Sequence, residues 1–167
     1  MKIFKYILII LALSLVFLSV YIATGKSEYE LTVTEKTELS NQRIYRYVNN
    51  LQNFDEWNPW YSNEEVFKLD SISKGKNAKV QWNGNQAIIT STALNDSLAL
   101  TLDVSGNVYD TKMYFNEVAG KTTITWKING NLSFSEKFQI FFKGTPDTVI
   151  APIFKQGLQT INKNITE

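Results

Sequence analysis

Three rhythms of hydrophobic and polar residues divide the chain. From Tyr6 to Gly25 no residue is charged, and Ile, Leu, Val and Phe dominate a run of 20 residues. As a helix such a run spans roughly 30 Å, the thickness of one hydrocarbon core. From Tyr29 onward the period falls to two. At the C-terminal end it becomes helical.

The period-two region predicts strands separated by turn residues. Tyr29 to Glu38 is β-prone, with Leu31, Val33 and several threonines. After it, Ser40 predicts the cap of a short helix with Ile44, Tyr47, Val48 and Leu51 on its apolar side. The aromatic segment Phe54-Asp55-Glu56-Trp57-Asn58-Pro59-Trp60-Tyr61 follows. Its proline limits it to a turn or a single helical turn. Further strands are predicted at Glu65–Ser71, Ala78–Trp82, Gln86–Leu94, Ser97–Val104, Val108–Val118 and Lys121–Asn129. Asn83-Gly84-Asn85, Asn95-Asp96, Ser105-Gly106-Asn107 and Ala119-Gly120 supply the turns. Consecutive strands on short turns make an antiparallel meander with one wet face.

Phe134 to Phe142 predicts another short helix, and Ile150, Ile153, Phe154, Gly157, Leu158, Ile161 and Ile165 predict a long one. Pro152 suits an early position of that helix, with Asp147 or Thr148 as its cap. The order is therefore strand, helix, six strands, long helix. This is an α+β fold, a curved antiparallel sheet whose apolar face a terminal helix covers. Residues 1–26 stand apart as an anchor, and residues 27–167 form one domain.

Composition narrows the chemistry. The 167 residues include no cysteine and no histidine, which removes triad and thiol nucleophiles, zinc sites of the usual ligands, and disulfides. Without Lys2 and Lys5, 15 basic residues face 16 acidic ones. The Lys74, Lys76 and Lys79 cluster is too small for a nucleic-acid footprint. Lys2 and Lys5 precede the apolar run, so the amino end is expected in the cytoplasm and the domain outside. A cleaved signal would have a shorter apolar region, although Ala23-Thr24-Gly25 imitates a cleavage site.

Three stretches resemble the START-like superfamily of helix-grip domains, often labelled SRPBCC, which includes birch-pollen-allergen-like proteins and polyketide cyclases. They are the aromatic segment Phe54–Trp60, Thr122-Thr123-Ile124-Thr125-Trp126, and Phe154-Lys155-Gln156-Gly157-Leu158-Gln159-Thr160-Ile161. The leading apolar helix is similar to that of membrane-anchored bacterial members. The resemblance implies a cavity between sheet and closing helix that holds an apolar or amphiphilic, lipid-like small molecule. It implies no particular reaction and no cofactor.

Parity assigns the cavity wall. If Leu98, Leu100 and Leu102 face inward, Thr101 and Asp103 face solvent. If Met113 and Phe115 face inward, so do Tyr109 and Thr111, while Asp110 and Lys112 point out. Around Trp126 the inward positions are Ile124 and Ile128, with Lys127 outward. No inward strand position carries a charge, and Tyr109 and Thr111 are its polar groups. They can orient a ligand but are poor acid–base catalysts. The expected ligand-binding set is Trp57, Trp60, Trp82, Leu100, Tyr109, Thr111, Met113, Phe115, Trp126, Phe154, Gly157 and Leu158. Trp57 and Trp60 either line an entrance or plug the end of the sheet. Gly157 costs about 1 kcal/mol in a helix relative to alanine, so a close strand or a ligand lies against it. Asp55 and Glu56 read as solvated residues of a turn.

Overall fold

The computed structural model describes residues 2–61 and 66–166. Helix α1 (Lys2–Thr24) leads into β1 (Glu28–Thr37). Ser40 caps α2 (Asn41–Val48), as its position predicts, by accepting a hydrogen bond from the Arg43 N–H. A 3₁₀ turn at Leu51–Asn53 and the single turn α3 (Phe54–Trp57) then carry the chain across the end of the core. Next come β2 (Phe67–Leu69), β3 (Lys79–Trp82), β4 (Asn85–Ala93), β5 (Ser97–Val104), β6 (Asn107–Val118) and β7 (Lys121–Asn131). Three helices close the chain: α4 (Phe134–Lys143), α5 (Pro146–Val149) and α6 (Ala151–Thr166).

All neighbouring strands are antiparallel, in the order β1-β7-β6-β5-β4-β3-β2. The meander follows from its turns. Asn83-Gly84, Ser105-Gly106 and Ala119-Gly120 are two-residue loops in which both residues have positive φ. That is the loop whose twist matches paired strands. A bulge between Ile89 and Ser91 bends β4. The long pairing of β1 with β7 brings the start of the domain beside its last strand.

Parity holds along the sheet. Leu98, Leu100, Leu102, Val104, Tyr109, Thr111, Met113, Phe115, Ile124, Trp126 and Ile128 are all buried. Helix α6 lies over this face with Phe154, Gly157, Leu158, Ile161 and Ile165 buried. It is fastened at its flanks. Lys155 reaches β1, where its Nζ meets the Thr34 carbonyl and the Glu35 carboxylate, and Arg43 donates to the Ile165 carbonyl at 2.7 Å.

Four details differ from expectation. Tyr45, not Tyr47, is the buried tyrosine of α2, because the helix packs Tyr45 edge-on to Phe115 at 6.2 Å. Neither Asp147 nor Thr148 caps α6, because both belong to the separate turn α5. The Thr148 Oγ1 accepts from the Thr145 N–H there at 3.0 Å. The second strand is short, and the Glu65 end predicted for it lies outside the described residues. Ile153 is only half-buried.

Helix α1 is the one helix among the described residues long and apolar enough, over Ile3–Thr24, to cross a membrane. It contributes nothing to the hydrophobic core of the domain.

Candidate ligand-binding site

The twelve residues expected around a ligand converge between the sheet and α6. Trp126, at the centre of β7, meets Phe154 of α6 at 4.8 Å and Trp57 of α3 at 5.9 Å, both nearly edge-on. Phe54 links Trp57 at 4.8 Å to Trp82 of β3 at 5.3 Å. On the other side Tyr109 meets Phe154 at 5.6 Å, and Trp60 stacks on Tyr109 at 5.9 Å while facing Phe154 at 5.2 Å. The result is one connected aromatic layer. Leu100, Met113 and Leu158 are fully buried in the same core, and Phe115 meets Tyr45 of α2.

Trp57 and Trp60 have different places. Trp57 is inside the core, whereas Trp60 is half-buried at its rim. Of the twelve, Trp60 is the side chain through which this layer meets solvent. Gly157 faces Trp126: a β-carbon there would stand 3.3 Å from Cζ3 of the indole, 3.5 Å from the Trp57 carbonyl oxygen and 3.6 Å from Cδ of Pro59. Close helix-to-sheet contact therefore accounts for this glycine. Thr111 turns its hydroxyl to the Leu100 carbonyl at 3.1 Å, so its polar atom is occupied by the sheet.

The polar chemistry sits at the end of the core nearest α1. Tyr109 donates to Oε1 of Glu136 at 2.9 Å, and Glu136 is a buried carboxylate supplied by α4 rather than by a strand. Its Oε2 accepts from the Ser133 N–H at 2.8 Å and the Ser133 hydroxyl at 2.9 Å. Both oxygens are thus held in a capping box and a tyrosine contact, which makes the residue a joint between α4 and the sheet. Its signal is legible in the sequence as Ser133 followed three residues later by Glu136. Burial, then the charge and hydrogen bond of Glu136, pushes the Tyr109 hydroxyl far above its ordinary pKa.

Tyr29 completes this group. It pairs with Gly130 on one side of β7, and Tyr109 pairs with Gly130 on the other. The missing side chain lets the Tyr29 ring lie across β7, where a β-carbon on Gly130 would be 2.6 Å from the hydroxyl. Burial, then the Glu136 charge, raises the Tyr29 pKa as well. Its hydroxyl has no hydrogen-bond partner among the described residues, and the same is true of the buried indole N–H groups of Trp57, Trp82 and Trp126.

Of the two acids expected in solvent, Glu56 is exposed, but Asp55 is half-buried, and its Oδ1 is buried with no hydrogen-bond partner among the described residues. Glu56 accepts from the Tyr47 hydroxyl at 2.6 Å, and its carbonyl accepts from Asn164 of α6 at 2.9 Å. Burial, then the Glu56 hydrogen bond, raises the Tyr47 pKa. A surface groove of about 340 Å³ lies elsewhere, between the end of α1 and α4, lined by Tyr21, Ile22, Leu132, Ile140 and Phe141 among others.

A curved antiparallel sheet closed by a C-terminal helix is the helix-grip fold, and solved structures share it. A protein of unknown function from Staphylococcus aureus superposes with a TM-score of 0.61 at 11% identity, covering 86% of this chain and 99% of its own. A protein from Chromobacterium violaceum gives 0.59 at 11% identity, covering 83% and 97%. Ara h 8.0201 gives 0.56 at 10% identity, covering 83% and 98%. No protein-family model matches the chain, and no curated protein matches it.

Proposed function

We propose that this chain is a single-pass, membrane-anchored binding protein of the START-like superfamily, with its amino end in the cytoplasm and its domain outside. Its ligand is an apolar or amphiphilic, lipid-like molecule with at least one hydrogen-bond acceptor, taken up among the aromatic side chains between sheet and α6. The carrying observation is the set of buried donors that have no partner among the described residues: the indoles of Trp57, Trp82 and Trp126, the Tyr29 hydroxyl and the Asn58 amide. A buried donor left unpaired costs about 1–3 kcal/mol. Five of them in a mostly apolar interior match the composition of a small-molecule site, hydrophobic with a few placed polar groups. Trp60 supports an entrance at the α1 end, because it is half-exposed and stacks on Tyr109, the strand partner of Gly130 near the exit of β7.

A second reading has its own observation. Ring centroids 4.8–5.9 Å apart fill the layer, which suits a ligand-free interaction module packed with its own aromatics. One experiment separates the two. Residues 26–167 carry the whole core, so this part is expressed alone, delipidated, and titrated with fatty-acyl and sterol-like probes. Native mass spectrometry of a one-to-one complex, with a shift in tryptophan emission, is the expected result. No complex at micromolar probe favours the packed module. For the anchor, the full chain should resist carbonate extraction and keep its amino terminus; a soluble mature form beginning near Lys26 overturns it.

A further inference from the structure

Helix α4 carries a face that none of the described residues covers. Phe134, Phe138, Phe141 and Phe142 are 53%, 46%, 47% and 65% exposed. At 100° per residue they occupy a sector of about 100°, while Ser135, Gln139 and Lys143 fall on its polar side and Glu136 turns into the core. The rings form a continuous strip, with Phe138 and Phe141 each edge-on to Phe142 at 5.0 and 5.1 Å.

This strip runs onto the apolar helix. Phe141 meets Tyr21 of α1 at 6.3 Å. Lys137 of α4 donates to the carbonyls of Ala23 at 2.9 Å and Gly25 at 2.7 Å, so its ammonium caps the negative end of α1. Ile22 is the one buried residue of α1 among those described, and it lines the groove against α4. Helix α4 is thereby fixed to the last turn of α1, at the level where a spanning helix leaves the hydrocarbon.

We infer that α4 is an interfacial helix whose phenylalanine stripe lies in the headgroup–acyl boundary of the leaflet from which α1 emerges. The inference rests on the membrane reading of α1. An amphipathic helix buries its aromatic face at that depth and keeps its charges in water, and aromatic side chains concentrate there at the ends of spanning helices. The occupant is lipid rather than a second copy because the stripe is continuous with Tyr21, itself an exposed side chain of the span. Its consequence is orientation: two attachments, α1 and α4, hold the domain with the Tyr29–Tyr109 end toward the bilayer.

The absence of native cysteine makes the test clean. Single variants Ile10→Cys, Leu94→Cys, Phe138→Cys and Phe142→Cys of the full chain are spin-labelled and reconstituted in phosphatidylcholine–phosphatidylglycerol vesicles. Power saturation then compares oxygen with a water-soluble nickel chelate. Leu94 lies on the β4–β5 turn, at the far end of the sheet from α1, and reports water. Ile10 reports the span. Labels at 138 and 142 should share the oxygen exposure of Ile10 and lose the nickel accessibility of Leu94. If they match Leu94 while Ile10 is lipid-exposed, the anchor stands and the inference falls. If Ile10 is nickel-accessible, both fall. Labels shielded from both reagents, with dipolar coupling between neighbouring chains, show a second copy on the stripe and overturn the lipid assignment.

Discussion

The edge of the Trp126 indole lies 3.3 Å from the point where a β-carbon on Gly157 would begin. The helix sits on the sheet through that gap in its own surface. Gly157→Ala regains up to about 1 kcal/mol of helix propensity against a tight contact of its β-carbon with the buried Trp126 ring. Its unfolding midpoint in urea should stay within about 1 kcal/mol of the parent domain. Gly157→Leu overpacks the same contact and should lose about 1–3 kcal/mol. A leucine variant as stable as the parent would show that α6 is not seated on Trp126.

Alkaline titration should reveal three retarded tyrosines. Tyr29, Tyr47 and Tyr109 are all shifted upward, chiefly by burial. In the unfolded chain tyrosine ionises at about pH 10. The folded state therefore holds protons that the unfolded state has lost. Their stabilisation is complete below about pH 10 and is lost as pH rises through the folded pKa values. Of the eight tyrosines, these three should yield their phenolate absorbance only together with loss of the near-ultraviolet circular dichroism. A smooth ionisation of all eight near pH 10 with the fold intact would contradict the burial of this group.

Ala119 occupies a left-handed position at φ 53° in the β6–β7 turn. A residue with a β-carbon pays for that conformation, and asparagine pays less. Ala119→Asn, which creates an Asn-Gly turn, should raise stability by roughly 0.5–1 kcal/mol. Differential scanning calorimetry checks the sign. A lower melting temperature would mean that the turn is not of this type.

Iodide quenching should divide the four tryptophans into two classes. Trp57, Trp82 and Trp126 are buried, whereas Trp60 is half-exposed at the rim. The accessible class should disappear in Trp60→Phe. Persistence of that class would place another indole at the surface.

Much of the architecture is legible because it rests on short-range rules. Alternation in Leu98, Leu100, Leu102 and Val104 gives both the strand and its inward face, since successive side chains point to opposite sides. Turn pairs such as Asn83-Gly84 fix where strands end. Ser40 marks the start of α2 for the same local reason. Contacts that depend on tertiary approach are not legible in this way. Helical spacing points to Tyr47 as the buried ring, and only the placement of α2 against Phe115 turns Tyr45 inward instead. Tyr29 crosses over Gly130 only because β1 pairs with β7. Strand parity gives no hint of Glu136, since it reaches Tyr109 from a helix. Its capping-box spacing was present, but that spacing states only how a helix begins and not what the carboxylate also touches. The residues expected around a ligand come together because parity and helical period are guides to facing surfaces, whereas the space left between rings depends on side-chain volumes and rotamers.

The pairing of β1 with β7 also sets a timetable for biosynthesis. The 83 residues from Glu38 to Gly120 separate the two partners in the sequence. At roughly 5–20 residues per second of synthesis, β1 waits about 4–17 s on the ribosome before β7 is made. Throughout that interval Leu31 and Val33 lie on a strand with no neighbour. The opposite face of the same strand carries Glu28, Glu30 and Lys36, charges that discourage stray strands from pairing along it. Those residues serve the nascent chain first, as a guard on an open edge, and only later become the outer border of the finished sheet.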